Sequence, residues 1–144
     1  MDLIAKSFSE LSLEELYEII KSRAEIFLLE QHIICQDLDD VDYRSLHCFF
    51  RNGNRVTAYL RAFLSEPEVV MVGRVLTLEH GKGLGRELML RSMETIKKHF
   101  PCQKISIHAQ KQAANFYKKL GFYTVSDEFL EEGVIHISME KLLP

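Results

Sequence analysis

Three glycines at alternate positions, in His80-Gly81-Lys82-Gly83-Leu84-Gly85-Arg86, separate a nearly continuous apolar run, Val69 to Leu78, from a helical stripe of Leu84, Leu88, Met89, Met93, Ile96 and Phe100. The run is rich in β-branched residues, as suits a central strand buried on both faces, and Pro101 stops the helix. A glycine loop in that place lets the backbone come close to a ligand, while the first N–H groups of the helix stay unpaired. The helix N-terminus carries about half a unit of positive charge, which suits phosphate oxygens, and Lys82 and Arg86 add mobile charge at the rim. The dinucleotide fingerprint needs its third glycine where Arg86 stands, and a P-loop needs Gly-Lys-Ser/Thr after a four-residue gap. Both fit poorly, and on the loop alone a tight packing turn explains the glycines equally well.

The rest of the chain alternates the two backbone periods. Leu3 to Phe8 reads as a short strand. Ser12 with Glu15 is a capping box, and Leu13, Leu16, Ile20, Ala24 and Phe27 follow helical spacing, giving a first helix of about four turns. An irregular acidic passage runs from Glu30 to Arg44. Leu46 to Arg51 and Arg55 to Leu64 flank Asn52-Gly53-Asn54 and read as an antiparallel hairpin. Beyond the second helix, Lys104 to His108 is a strand, Gln110 to Leu120 a short helix capped by Gly121, and Phe122 to Phe129 with Val134 to Lys141 a last hairpin around Glu131-Glu132-Gly133. The fold class is mixed α/β, a central sheet covered by helices. The sequence reads as a single domain over 1–144, with no linker-like tract or internal repeat.

Charge narrows the partners. Eighteen basic against 21 acidic side chains give a net charge of −3, with the basic residues scattered, so binding to a nucleic-acid backbone is not favoured. No stretch reads as a secretory signal or a membrane span. Cys35, Cys48 and Cys102 cannot all pair within one chain, which points to a reduced, cytoplasmic setting. A homodimer stays open.

The glycine loop, followed about thirty residues on by Asn115-Phe116-Tyr117-Lys118-Lys119-Leu120-Gly121-Phe122, resembles the pyrophosphate loop and following helix of the GNAT superfamily of acetyl-CoA-dependent N-acetyltransferases. Leu16-Tyr17 through Arg23, Phe27, Glu30 and Gln31, then Asp37, Asp39 and His47, Gly73-Arg74-Val75, Glu132-Gly133 and His136 through Met139 resemble its ElaA-type branch. The resemblance implies the acyl-CoA N-acyltransferase fold, a mixed sheet of six or seven strands splayed between strands 4 and 5. It implies acetyl-CoA as cosubstrate, its pantetheine arm paired to Val75, Leu76 and Thr77 and its pyrophosphate on Gly81, Lys82, Gly83, Leu84, Gly85 and Arg86. Asn115 and Tyr117 join that binding set, and Tyr117 is also the general acid. His80 stands where the family has Gln or Arg, and the connection Thr77-Leu78-Glu79 is about two residues short of its norm.

Acetyl transfer needs a neutral amine, a polarised carbonyl and a proton for the departing thiolate. At pH 7 roughly one alkyl amine in two thousand is unprotonated, so a base, a water chain or a desolvating pocket must help. A tyrosine can protonate a thiolate without being ionised beforehand, although Phe116 and Tyr117 also fit the apolar stripe of their helix. Glu30, or a water held near it, is the candidate base. The resemblance places Arg23, Gln31, His47, Arg74 and His136 at the amine acceptor, a small molecule or a peptide. Arg23 and Arg74 need partners if buried, and an acidic residue of the 30–42 loop is a candidate. Asp40 and Asp42 read as a solvated acidic loop. No metal is expected: Asp37-x-Asp39-x-Val41 fails as a calcium loop, and His32, Cys35, His47 and Cys48 lack zinc spacing. None of the three cysteines is expected as a nucleophile. The rival reading is an acyl-CoA-binding module without turnover.

Overall fold

The computed structural model describes residues 1–144. β1 (Ile4–Ser7), β2 (Leu46–Asn52), β3 (Arg55–Glu66) and β4 (Val69–Thr77) pair in antiparallel succession, and β4 then runs parallel to β5 (Lys104–Gln110). β8 (Val134–Leu142) lies antiparallel to β5, and β6 (Tyr123–Thr124) and β7 (Phe129–Glu131) both pair with β8. The sheet therefore has eight strands, more than the six or seven expected. The extra strand arises because the segment Phe122 to Phe129 is broken: the Ser138 N–H bonds to the Ser126 hydroxyl at 2.9 Å, where an unbroken ladder would use a main-chain oxygen.

α2 (Leu84–His99) packs Leu88, Met89, Met93 and Ile96 on one face of the sheet, against Val70, Val72, Ile105 and Ile107 in the larger core. α1 (Leu13–Arg23) covers the other face with Ile19, beside Phe49, Tyr59 and Leu76. The capping box at Ser12 is present in both directions, at 2.9 and 3.0 Å. The stripe is not the expected one: Leu13 is 87% exposed, and Glu15, Ile19, Ser22, Arg23 and Ile26 face inward. Polar side chains occupy that face because each finds a partner there, Ser22 donating to the Val56 carbonyl at 2.7 Å and Glu15 accepting from Lys6 at 3.0 Å. From Ala24 to Glu30 the helix widens into π turns, and the Gln31 N–H reaches back five residues to the Ile26 carbonyl at 2.9 Å. The expected helix Gln110 to Leu120 begins as a 3₁₀ turn, Lys111–Ala113, and continues as α3 (Ala114–Lys119).

A bulge in β4 decides where the sheet opens. Tyr59 stands opposite Leu76 and Arg61 opposite Gly73, so Leu60 alone faces both Arg74 and Val75. Arg74 takes a left-handed φ of 52° there. The extra residue reverses side-chain parity: Val70 and Val72 enter the core under α2, whereas Leu76 enters the smaller core under α1. It also bends the strand away from β5. Pairing between the two stops at Val72 and Ile107, although β4 runs on to Thr77 and β5 to Gln110. The same shape limits the burial expected of β4, whose Gly73, Arg74, Val75 and Thr77 are only partly covered.

Candidate active site

The gap between the diverging strands continues into a cavity of about 530 Å³, lined by Val75, Leu76 and Thr77 at the end of β4 and by every residue from Gly81 to Arg86. Gly83, at φ 77°, is the N-cap of α2, a conformation that glycine adopts without a Cβ penalty. The N–H groups of Leu84, Gly85 and Arg86 form the unpaired first turn above it. Gly85 has a second constraint, since a Cβ there would lie 3.3 Å from the Phe116 ring. Phe116 and Lys119 of α3, with Ile26 of the π turn, complete walls that the sequence reading did not assign. Asn115, expected on this side, is exposed and lines neither cavity described here.

A second cavity of about 280 Å³ shares Gln31, Val75 and Ala113 with the first. Tyr117 lines it, together with Arg74 and His136 from the expected acceptor set. The Tyr117 ring is held edge-on by Phe116 and Phe122, with centroids 5.0 and 5.8 Å away. Burial pushes its hydroxyl well above the usual phenol range, so it remains protonated at neutral pH. Cys35 also lines this cavity, contrary to expectation. Burial raises its thiol, with Arg74 opposing, so the reactive thiolate is disfavoured. His108, Gln110, Glu131 and Glu132 are further walls absent from the sequence reading. Glu131-Glu132-Gly133 carries the signal of a hairpin turn, and only the curl of β7 over β8 turns its acids toward β5.

Arg23 and His47, expected at the acceptor, line neither cavity. Arg23 is 1% exposed and donates to Asp42 at 2.7 Å, to Asp37 at 3.0 Å and to the Asp37 carbonyl at 2.7 Å. Arg61 of β3 forks onto Asp39, both bonds 2.7 Å, and Arg74 lies 2.9 Å from Asp37 and 3.3 Å from Asp39. Three arginines thus neutralise three aspartates and pin the acidic loop across the sheet. Asp42 is part of this buried cluster, not a solvated loop residue. His47 donates from Nε2 to the Asp42 carbonyl at 2.9 Å and accepts at Nδ1 from the Tyr59 hydroxyl at 2.7 Å. Burial keeps it neutral by lowering its basicity. Its role is to hold the loop.

Glu30 sits apart from the second cavity. It is exposed at the end of the π turns and bonds to His80 Nε2 at 3.0 Å, on the rim of the glycine loop. The departure from Gln or Arg at position 80 therefore links the first helix to that loop. It also keeps the expected base at the rim of the first cavity, away from the walls of the second that Tyr117 lines.

The aspartate cluster sets an acid limit on the fold. Hydrogen bonds and charge from Arg61 hold Asp39 down to about 2, against burial. Burial pushes Asp42 up, but Arg23 and Arg61 outweigh it and leave it lowered. Both folded-state values lie below those of the unfolded chain, so the stabilisation is complete above about pH 4 and is lost as pH falls toward 2. Urea midpoints at pH 7, 4 and 2.5 should fall steeply only between the last two, and Asp39→Asn should flatten that drop. An equal drop in the variant would place the acid sensitivity elsewhere.

A family model described as an acetyltransferase (GNAT) domain matches residues 5–143. The chain belongs to the GNAT acetyltransferases. Among relatives of this GNAT chain, a UPF0039 protein of Schizosaccharomyces pombe is 34% identical over 143 residues, covering 96% of this chain and 95% of its own. Protein ElaA of Escherichia coli is 32% identical over 139 residues, covering 92% and 91%. The crystal structure of Escherichia coli ElaA superposes with a TM-score of 0.90 over 98% of this chain and 99% of that one, and an acyl-CoA N-acyltransferase from Pseudomonas aeruginosa, 28% identical, gives 0.90 over 98% and 99%. The splayed sheet is the GNAT fold, and the protein is an acetyltransferase enzyme with an acyl-CoA cosubstrate.

The residues present fit such a cosubstrate. The first turn of α2, with its unpaired N–H groups, lines the first cavity, and the β4 edge beyond Val72 has no β5 partner for its main-chain groups. Gly85→Val should weaken acyl-CoA binding tenfold or more by calorimetry, because its Cβ would lie 3.3 Å from the Phe116 ring that lines the first cavity. The overpacking should cost about 1–3 kcal/mol of stability in the same sample. Unchanged affinity would show that the Gly85 approach to Phe116 serves packing alone.

Proposed function

We propose that the chain is an acetyl-CoA-dependent N-acetyltransferase that transfers the acetyl group directly to a primary amine of a small molecule or peptide. The observation that carries this reading is the meeting of the two cavities at Val75, Gln31 and Ala113, with the unpaired edge of β4 between them and Tyr117 in the second. A thioester extended along Val75, Leu76 and Thr77 presents its carbonyl at the bulge, where main-chain N–H groups of β4 polarise it. The pyrophosphate rests on the amides from Gly81 to Arg86, with Lys82 and Arg86 as exposed counter-charges. An amine entering the second cavity meets the thioester from the side that Tyr117 lines. Tyr117 arrives protonated and donates to the departing sulfur. No acyl-enzyme is required, in keeping with the raised Cys35 thiol. The three free cysteines support a cytoplasmic setting, and no helix is long and apolar enough to cross a membrane.

Calorimetry with acetyl-CoA, followed by free-thiol release against a panel of small amines and peptides, tests the reading. Binding in the micromolar range typical of enzyme substrates and amine-dependent thiol release are expected. Tighter binding of a longer acyl-CoA would replace acetyl as the transferred group. Thiol release that no amine stimulates would overturn direct amine acylation.

A further inference from the structure

With Glu30 tied to His80, the second cavity needs a proton acceptor of its own, and its walls contain one. His136 lies on β8 with its side chain 10% exposed. Its Nδ1 is 2.7 Å from the Val134 carbonyl. A carbonyl can only accept, so Nδ1 carries the hydrogen and Nε2 is left with its lone pair. Nε2 makes no hydrogen bond within the protein and belongs to a residue that lines the cavity. The Glu131 carboxylate of β7 stands 3.7 Å from it, and the other oxygen of that carboxylate accepts from His108 Nδ1 of β5 at 2.8 Å. Phe129 stacks on the His136 ring with centroids 6.0 Å apart and fixes its plane.

Resting on the acetyltransferase reading above, we infer that His136 is the general base of this enzyme, with its tautomer set by Val134 and its charged form balanced by Glu131. The amine enters neutral. Its nitrogen bonds to the thioester carbon, the carbon–sulfur bond breaks, the surplus N–H proton passes to His136 Nε2, and the sulfur takes the Tyr117 proton. The imidazolium then returns its proton to Tyr117 through solvent, so both groups end as they began. Glu131 is a positioning residue: it faces the imidazole at the moment of charging and is itself held by His108. The other charged or titratable groups around this cavity are Arg74 and Asp37, which pair with each other at 2.9 Å, together with Cys35, Glu132 and Tyr117.

Two measurements test the inference. Nitrogen-15 NMR of the histidine side chains above neutral pH should show His136, identified by its disappearance in His136→Gln, as the Nδ1–H tautomer. The Nε2–H tautomer would overturn the assignment, whatever the activity. In thiol release with acetyl-CoA and an amine accepted by the wild type, His136→Gln should lower kcat/KM about 100-fold, within the range for a lost base. It should also leave acetyl-CoA affinity within twofold. Turnover within threefold of wild type would reject His136 as base and leave the acetyltransferase reading standing. Glu131→Gln should keep the Nδ1–H tautomer but reduce kcat with little change in KM. A reduction confined to KM would make Glu131 a substrate contact.

Discussion

Arg23→Met should destabilise the protein by roughly 3–5 kcal/mol, the cost of stripping one partner from a buried ion pair, and lower Tm by about 10 °C or more. The guanidinium is almost wholly buried and answers two carboxylates and a main-chain carbonyl. Methionine fills part of its volume, but Asp42 would remain buried with only the 3.1 Å contact from Arg61. Breaking the cluster also frees the loop that carries Cys35 and Asp37 to the second cavity, so KM for the amine should rise in the same variant. Urea unfolding at pH 7 gives the first quantity and thiol release the second. A loss below 1 kcal/mol would mean that the three arginines share the aspartates loosely enough for two to suffice.

Tyr117→Phe should reduce kcat for thiol release by about 100-fold or more, the usual contribution of a positioned acid, with acetyl-CoA affinity within twofold. Burial is the sole cause of the raised Tyr117 hydroxyl, so removing the oxygen breaks no structural hydrogen bond and Tm should move by only a degree or two. That combination separates an acid from a core aromatic. The edge contacts to Phe116 and Phe122 survive in phenylalanine, and a purely structural tyrosine would leave kcat intact. Because burial also disfavours a bare phenolate, the loss in kcat should persist across the pH range in which the wild type works. Turnover unchanged by the substitution would reject the acid role.

The strand order up to α2 and the glycine loop could be read from local sequence because each depends on residues close together in the chain. Asn-Gly at the β2–β3 turn, the Ser12 capping box and the glycines before α2 all act within a few positions. The partners of Arg23 and Arg74 in the acidic loop were legible for a related reason, since a buried charge requires an opposite one. Two residues expected at the acceptor by family position lie elsewhere. Position in a family pattern put Arg23 and His47 at the acceptor, but patterning cannot show that two other arginines and Tyr59 converge on the same loop and enclose them. Glu30 failed differently: helical spacing carried it to the end of α1, and the π turns from Ala24 to Glu30 aimed it at His80.

The sequence by itself determined the family, through motifs spread along the chain, and most of the elements together with the glycine loop at one end of the gap, through short-range backbone chemistry. The tertiary structure alone decided which side chains share the second cavity. His108, Glu131 and His136 come from three strands whose meeting depends on the pairing of β5, β7 and β8, and the gap they face opens only because one extra residue in β4 turns the strand away from β5.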